Sequence, residues 1–418
     1  MKNIYIESYG CFANQDNEAI MKGILVKEGF KIINKESKAD IIIINTCVVK
    51  GSTVSKMISR IRHFKDKNLI ISGCMPESEA KLCKKLAPDA SLINTFHVTD
   101  TIKAVKSLLN KKPIDLLGKR KEILLNLPKI EDKRAIIQIS QGCTSYCLFC
   151  ETKLAKGVLI SFPKEKIIQE IKNKIKSGNK TINLTATDTG CYGFDIKTNL
   201  PELLNEIVKI KSSFKIKIGM MNPEHVIKLL PKILEAYDNE HVFKFFHLTV
   251  QSGSNEILKK MKRRHTTEDF LSTVKEIRST FPLSTIWTDM ICGFPEETEE
   301  DFSLSLNLLK QAEPDFSNVS AYGNRPGTLA AKMKQVDTVI KKERTRKMSD
   351  FVRTMSEHHN KKWIGWSGKI IIDEFNEAKQ TWMGRNFAYK SVVVKGDYIL
   401  GETINVKITD AAVSNLIA

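Results

Sequence analysis

Apolar residues in the first hundred positions follow two periods. Short apolar runs bounded by polar or turn residues at 3–8, 40–45 and 69–72 read as strands, and 14–28 and 53–64 carry the spacing of amphipathic helices. That alternation predicts a parallel sheet with crossover helices. Residues 111–134 turn charged and contain Pro113 and Pro128, which reads as a linker. A second series begins at Ala135, with strand-like runs at 135–140, 181–186, 215–219, 244–250, 284–291 and 318–322. Helix-like segments such as 164–177 and 200–210 separate them, so six β/α units are expected, a barrel short of the full eight. After Lys361 the runs shorten to 369–372, 391–394, 399–400 and 403–408, with Gly365, Gly384, Gly396 and Gly401 nearby. Short strands with glycine turns suit a small antiparallel barrel. The expected class is α/β: a parallel-sheet domain at 1–112, a linker at 113–133, a partial (β/α)6 barrel at 134–360 and the small barrel at 361–418.

Composition narrows the function. The 418 residues carry 66 Lys and Arg against 48 Asp and Glu, a formal charge of +18, which favours polyanions such as nucleic acid but also describes solvated lysine-rich helices. No run of about eighteen apolar residues occurs, so no membrane span is expected. The opening segment lacks the basic-then-apolar layout of a signal peptide, and a cytoplasmic location is the expectation. Nine cysteines in such a chain point to metal or redox chemistry before disulfides.

Their placement is specific. Cys143, Cys147 and Cys150 form a C-x3-C-x2-C loop directly after the strand at 135–140. Three thiolates in one loop can hold three irons of a four-iron cluster and leave the fourth open for a substrate. A loop after the first barrel strand lies at the C-terminal face, where active sites sit. Cys11, Cys47 and Cys74 each follow a predicted strand; parallel strands would bring them to one sheet edge. Alone they would read as buried structural cysteines; beside the loop motif they read as a second incomplete ligand set. Cys83, Cys191 and Cys292 carry no assigned role, although Cys191 lies in a loop on the same face.

Three further strand-following loops aim at that mouth: Asp188-Thr189-Gly190, Asn222-Pro223-Glu224-His225, and Gln251-Ser252-Gly253-Ser254. Glycine permits close approach of a ligand, and the polar side chains offer hydrogen bonds. Asp188 and Ser254 would serve equally as helix N-caps. Arg325 is a candidate for a phosphate, a carboxylate or a structural ion pair.

The loop spacing, with Phe149 before the last cysteine, resembles the radical S-adenosylmethionine (AdoMet) superfamily. From end to end the chain resembles its methylthiotransferase family: the N-terminal cysteine triad, the C-x3-C-x-Phe-C loop and a C-terminal barrel of the TRAM type occur in that order. The stretches 188–195 (DTGCYGFD), 219–226 (GMMNPEHV), 250–258 (VQSGSNEIL) and 289–298 (DMICGFPEET) are most similar to the archaeal and eukaryotic branch acting on N6-threonylcarbamoyladenosine at position 37 of tRNA. Thr187, Thr249 and Leu329 depart from the residues common there. The resemblance implies two 4Fe–4S clusters, on Cys11, Cys47 and Cys74 and on Cys143, Cys147 and Cys150. It implies AdoMet bound near Phe149, Asp188, Gly190, Asn222, Gln251 and Ser252, a tRNA anticodon loop as substrate, and an electron-donor protein as partner. Within the C-terminal barrel, Arg385, Phe387 and Lys390 interleave charge and ring and are expected to contact RNA. Alternatives are a methylthiotransferase for a ribosomal-protein aspartate, which would share all six cysteines, and a non-enzymatic RNA-binding protein stabilised by metal.

Overall fold

The computed structural model describes residues 2–49, 51–131 and 134–418. The N-terminal unit is built on a six-stranded parallel sheet ordered Lys31–Ile32, Asn3–Ser8, Ile41–Thr46, Leu69–Gly73, Ser91–Asn94, Asp115–Leu116. Its central strand shows why the sheet is parallel and covered on both faces. Ile41 and Ile43 join one apolar core while Ile42 and Ile44 join another on the opposite face. The strands before Cys11, Cys47 and Cys74 are immediate neighbours, in a register that pairs Ser8 with Asn45 and Asn45 with Ser72. The three cysteines therefore leave the same edge.

The stretch expected as a linker packs closely. Asp115–Leu116 completes the N-terminal sheet, Leu124 and Leu125 are buried, and Lys129 lies between Asp16 at 2.7 Å and Glu170 at 3.1 Å. Lys129 thus ties the first helix, Phe12–Lys27, to the barrel helix Lys164–Lys176. Asp132 and Lys133, the end of that stretch, lie outside the described residues.

The central unit holds six parallel strands in chain order: Ala135–Gln138, Thr181–Thr185, Lys215–Ile218, Phe245–His247, Thr285–Cys292 and Phe316–Ala321. They form two three-stranded sheets joined by parallel bridges at Ile216–Val242 and Met221–Leu248, an arc of six β/α units. Alternation sets the faces. In Thr285–Cys292 the residues Ile286, Thr288 and Met290 are buried under helices, while Trp287, Asp289 and Ile291 are half-buried toward the lumen. One apolar core runs from Ile4 and Ile20 of the first unit through Ile137 and Leu184 to Met348 and Val352, so the two units share it.

The helix Thr338–Lys361 leads to a six-stranded sheet ordered Thr403–Lys407, Ser367–Asn376, Thr381–Arg385, Ser391–Val394, Leu416–Ile417, Asp410–Ala411. Pairing is antiparallel except between Ser391–Val394 and Leu416–Ile417. Its own core gathers Trp363, Ile370, Val392 and Leu416. Residues 399–400, expected as a strand, form an exposed turn closed by the Glu402 N–H on the Ile399 carbonyl at 3.1 Å. Two apolar residues with no core to face lose nothing by turning out.

Candidate functional site

The first-strand loop carries Cys143, Cys147 and Cys150. Its backbone is fixed by the Cys150 N–H on the Cys147 carbonyl at 3.1 Å and the Leu148 N–H on the Met261 carbonyl at 3.1 Å. Donors surround the thiols: the Ser145 N–H reaches Cys143 Sγ at 3.3 Å and Arg263 Nη1 reaches Cys147 Sγ at 3.5 Å. Burial pushes the Cys150 thiol up to about 12 and raises Cys147, so a cation must repay deprotonation. A hydrogen bond from Cys191, against the effect of burial, brings Cys143 down to about 7. Among the described residues, Cys143, Asp188 and Cys191 have ligand atoms within 4.8 Å of one another. Cys191, unassigned in the sequence, therefore supports Cys143.

Asp188, Asn222, Glu224 and His225 form one polar network beneath this loop. Asp188 Oδ1 accepts from the N–H groups of Gly190 at 2.9 Å and Asn222 at 3.1 Å, and its Oδ2 meets His225 Nδ1 at 2.8 Å. Asn222 Nδ2 donates to Ser145 Oγ at 3.0 Å, and His225 Nε2 lies 2.9 Å from Thr144 Oγ1 and 3.2 Å from Glu224. Burial would lower the His225 pKa, but hydrogen bonds to Asp188 and Glu224 and their charges outweigh it and raise it to about 9. Burial likewise opposes the Glu224 charge, yet hydrogen bonds from His225 and Ser145 hold it at about 2. Asp188, Gly190 and Asn222 are thus brought together beside Cys143.

Gln251 takes a left-handed φ of 79° and is held through its backbone to Asp289 and Ile291. Ser252 is fully buried and its Oγ faces Ser305 at 3.4 Å and the Ser254 N–H at 3.2 Å, a loop-fixing role. Phe149 packs edge-on to Phe294, their centroids 6.4 Å apart, in a small core with Ile257 and Tyr322.

The N-terminal trio sits at the sheet edge opposite. Gly10 has φ 103°, and a Cβ there would come within 2.5 Å of Cys47 Sγ, so only glycine lets the Cys11 turn close over Cys47. Gly73, φ 93°, likewise lies where a Cβ would meet the Thr46 carbonyl at 2.3 Å. Asn14, one turn beyond Cys11, fastens the strand ends: its Nδ2 donates to the carbonyls of Tyr9 at 2.9 Å and Thr46 at 2.7 Å, and Cys74 Sγ lies 4.0 Å from its Oδ1. Cys47 and Cys74 are buried, Cys11 is exposed, and burial raises both buried thiols.

One short helix joins the two trios. Glu151–Lys156 follows Cys150 directly. At its start Ser78 Oγ, on the turn after Cys74, donates to Glu151 Oε1 at 2.9 Å. At its end Lys156 is buried; burial opposes its charge, but Cys11, Cys74, Cys47 and Asp16 outweigh it and raise its pKa. Lys156 is thus the local counter-charge for all three thiols, and nothing in the sequence marks it beyond its place before Gly157. Arg325 ties the same junction, with Nη2 on the Val49 carbonyl at 2.8 Å and Nε 4.0 Å from Glu151. The donor sets fit anionic clusters: soft thiols flanked by cations and N–H groups, each set one ligand short. A cavity of about 400 Å³ lined by Tyr9, Gly10, Asp16, Arg134 and Ile136 opens where the first helix meets the first barrel strand.

The C-terminal candidates lie elsewhere. Lys390 is buried, with Nζ 2.7 Å from Asp315 Oδ1 and 2.9 Å from Asn360 Oδ1. Arg385 pairs with Asp373 at 3.1 Å and stacks on Tyr389 at 4.7 Å. Phe387 packs on Trp363 and Trp366, and its carbonyl accepts from the Lys244 N–H at 2.9 Å. These contacts dock the sheet on the barrel, because alternating rings and charges also fill a half-polar interface; of the three, Lys390 is buried and Arg385 and Phe387 are half-buried. No helix among the described residues is long and apolar enough to cross a membrane.

Comparison with known proteins agrees with this architecture. Residues 3–95 match the uncharacterized protein family UPF0004, and residues 137–309 match the Radical SAM superfamily. A Pyrococcus horikoshii protein described as a probable threonylcarbamoyladenosine tRNA methylthiotransferase is 41% identical over 379 residues, 89% of each chain. A Methanocaldococcus jannaschii protein of the same description is 39% identical over 422 residues, 98% of this chain and 94% of its own. The human threonylcarbamoyladenosine tRNA methylthiotransferase is 31% identical over 98% of this chain and 72% of its own. In fold, the chain resembles the radical S-adenosylmethionine methyltransferase TsrM from Kitasatospora setae, solved with cobalamin and a 4Fe–4S cluster, with TM-score 0.56 and 12% identity over 79% of this chain and 74% of that one.

Proposed function

Since the chain belongs to the threonylcarbamoyladenosine tRNA methylthiotransferase family, we propose that it converts N6-threonylcarbamoyladenosine in the tRNA anticodon loop to its 2-methylthio derivative. The observation that carries this reading is the helix Glu151–Lys156, which ties the two thiol trios to one junction. A cluster held by Cys143, Cys147 and Cys150 would supply the electron for AdoMet cleavage, and one held by Cys11, Cys47 and Cys74 would supply the sulfur.

The chain's own residues do the rest. Cys143, Cys147 and Cys150 would hold the first cluster, with Arg263 offsetting its charge at Cys147. Asp188, Gly190 and Asn222, fixed by His225 and Ser145, would orient AdoMet beside Cys143; Gln251 would do so from the next loop, and Phe149 and Ser252 would act through loop shape. Cys11, Cys47 and Cys74 would hold the second cluster, with Lys156 as counter-charge. An anticodon-loop base is unstacked readily enough to enter between the two. We assign residues 1–112 to sulfur delivery, 113–133 to the connection, 134–360 to AdoMet cleavage, and 361–418 to a TRAM-like RNA-binding barrel docked on it. We further assign it to the cytoplasm, with an electron-donor protein as partner.

Anaerobic reconstitution followed by mass spectrometry of tRNA hydrolysates tests this. About eight irons per chain and the 2-methylthio nucleoside are expected. One zinc without sulfide, or a modified ribosomal protein with unchanged tRNA, would overturn it.

A further inference from the structure

The strand Lys215–Ile218 turns Ile216 and Ile218 under the helices and Lys217 into the lumen. There Lys217 Nζ lies 4.8 Å from the ring centroid of Phe245, 5.1 Å from Phe12 and 5.5 Å from Tyr389. Each ring comes from a different unit: the barrel, the helix that follows Cys11, and the C-terminal segment. Two guanidiniums stand behind the rings, Arg134 6.0 Å from Phe12 and Arg385 4.7 Å from Tyr389. Both have carboxylates, Glu374 at 2.9 Å and Asp373 at 3.1 Å. Lys217 has none among the described residues, and the charges that act on it are those two arginines.

Three rings attract the ammonium, but two guanidiniums repel it and no carboxylate among the described residues faces it, so the charge is buried without an anionic partner. Burial, reinforced by Arg385 and Arg134, draws Lys217 down to about 8. Such a box is complete only with an anion in it. Lys217 lies five residues before Asn222 along the same strand and loop, and faces the lumen on the side opposite the buried Ile216 and Ile218. Phe12, in contact with Lys217, is the residue after Cys11, so the box also borders the sulfur-delivery side.

We propose that Lys217, framed by Phe12, Phe245 and Tyr389, receives the substrate's carboxylate, the threonyl carboxylate of the N6-threonylcarbamoyl group. This rests on the function proposed above and names the subsite that tells this nucleoside from an uncharged N6-substituted adenosine. The aromatic walls exclude water from the pair and give the ureido plane a face to stack on.

The test uses the reconstituted full chain and two anticodon stem-loop RNAs, one bearing threonylcarbamoyladenosine and one bearing the neutral threoninamide analogue. A hydrogen bond to a charged group contributes about 1.5–3 kcal/mol, so the parent chain should bind the carboxylate RNA at least about tenfold more tightly. Lys217→Met should bring that preference near unity by raising KM for the carboxylate RNA alone, and Lys217→Arg should keep most of it. Equal affinity of the parent for both RNAs, or an undiminished preference in Lys217→Met, would overturn the assignment. The parent comparison needs no variant, so misfolding of Lys217→Met leaves it decisive. Methylthiolation of both RNAs alike would sink this subsite while sparing the function; methylthiolation of neither would sink the function itself.

Discussion

Replacing Lys390 by Met tests how the C-terminal sheet is fastened. The ammonium lies 2.7 Å from Asp315, and the side chains are only 8% and 5% exposed. Removing one partner of a buried pair costs about 3–5 kcal/mol, because the remaining charge is stranded in a poor solvent. Asp315 is not fully stranded: Arg278 stands 3.0 Å away and the Ile286 N–H donates at 2.9 Å. Methionine fills the volume of the alkyl stem, so no large cavity adds to the loss. The expected cost is therefore below that range, about 2–3 kcal/mol. Tryptophan fluorescence reads it well, since Trp363, Trp366 and Trp382 belong to the C-terminal core and Trp287 alone of the four lies in the barrel. Urea unfolding of the cluster-free chain should show the C-terminal transition moved to lower denaturant. A cycle with Asp315→Asn should return a coupling of about 1–3 kcal/mol. A variant within about 0.5 kcal/mol of the parent, with no coupling, would refute the interface account.

Cys147→Ala should abolish 5′-deoxyadenosine formation and remove about four irons while the N-terminal cluster remains visible by electron paramagnetic resonance; retained cleavage would contradict the role of the loop. Cys47→Ala should keep AdoMet cleavage and lose sulfur insertion, and full tRNA modification by that variant would count against the second cluster. His225, raised to about 9, stabilises the fold fully below about pH 6.5 and loses that contribution as pH rises through 9. The cluster-free chain should therefore lose up to about 3 kcal/mol over that window, and His225→Asn should flatten the dependence. A pH profile identical to the parent's would remove His225 from the network.

The convergence of Cys11, Cys47 and Cys74 was legible in the sequence because each follows a strand, and a parallel sheet leaves strand ends no choice but a common edge. Hydrophobic periods placed the strands at Asn3–Ser8 and Ser391–Val394 residue for residue and the barrel strands to within a few positions. Short or marginal elements escaped: Lys31–Ile32 and Asp115–Leu116 have two residues each, too few to show a period. Burial alone gave Lys390 to an interface and left residues 399–400 outside.

What the sequence determined by itself was local and covalent: the thiol spacing, the alternation of strands and helices, and the chemistry they permit. What only the tertiary structure decided was which distant groups meet. Lys156 is buried in the field of three cysteines of another unit, Asn14 laces two strand ends, and Lys217 collects rings from three units. A lone charge carries no period, and its partners are set by packing rather than by its neighbours along the chain.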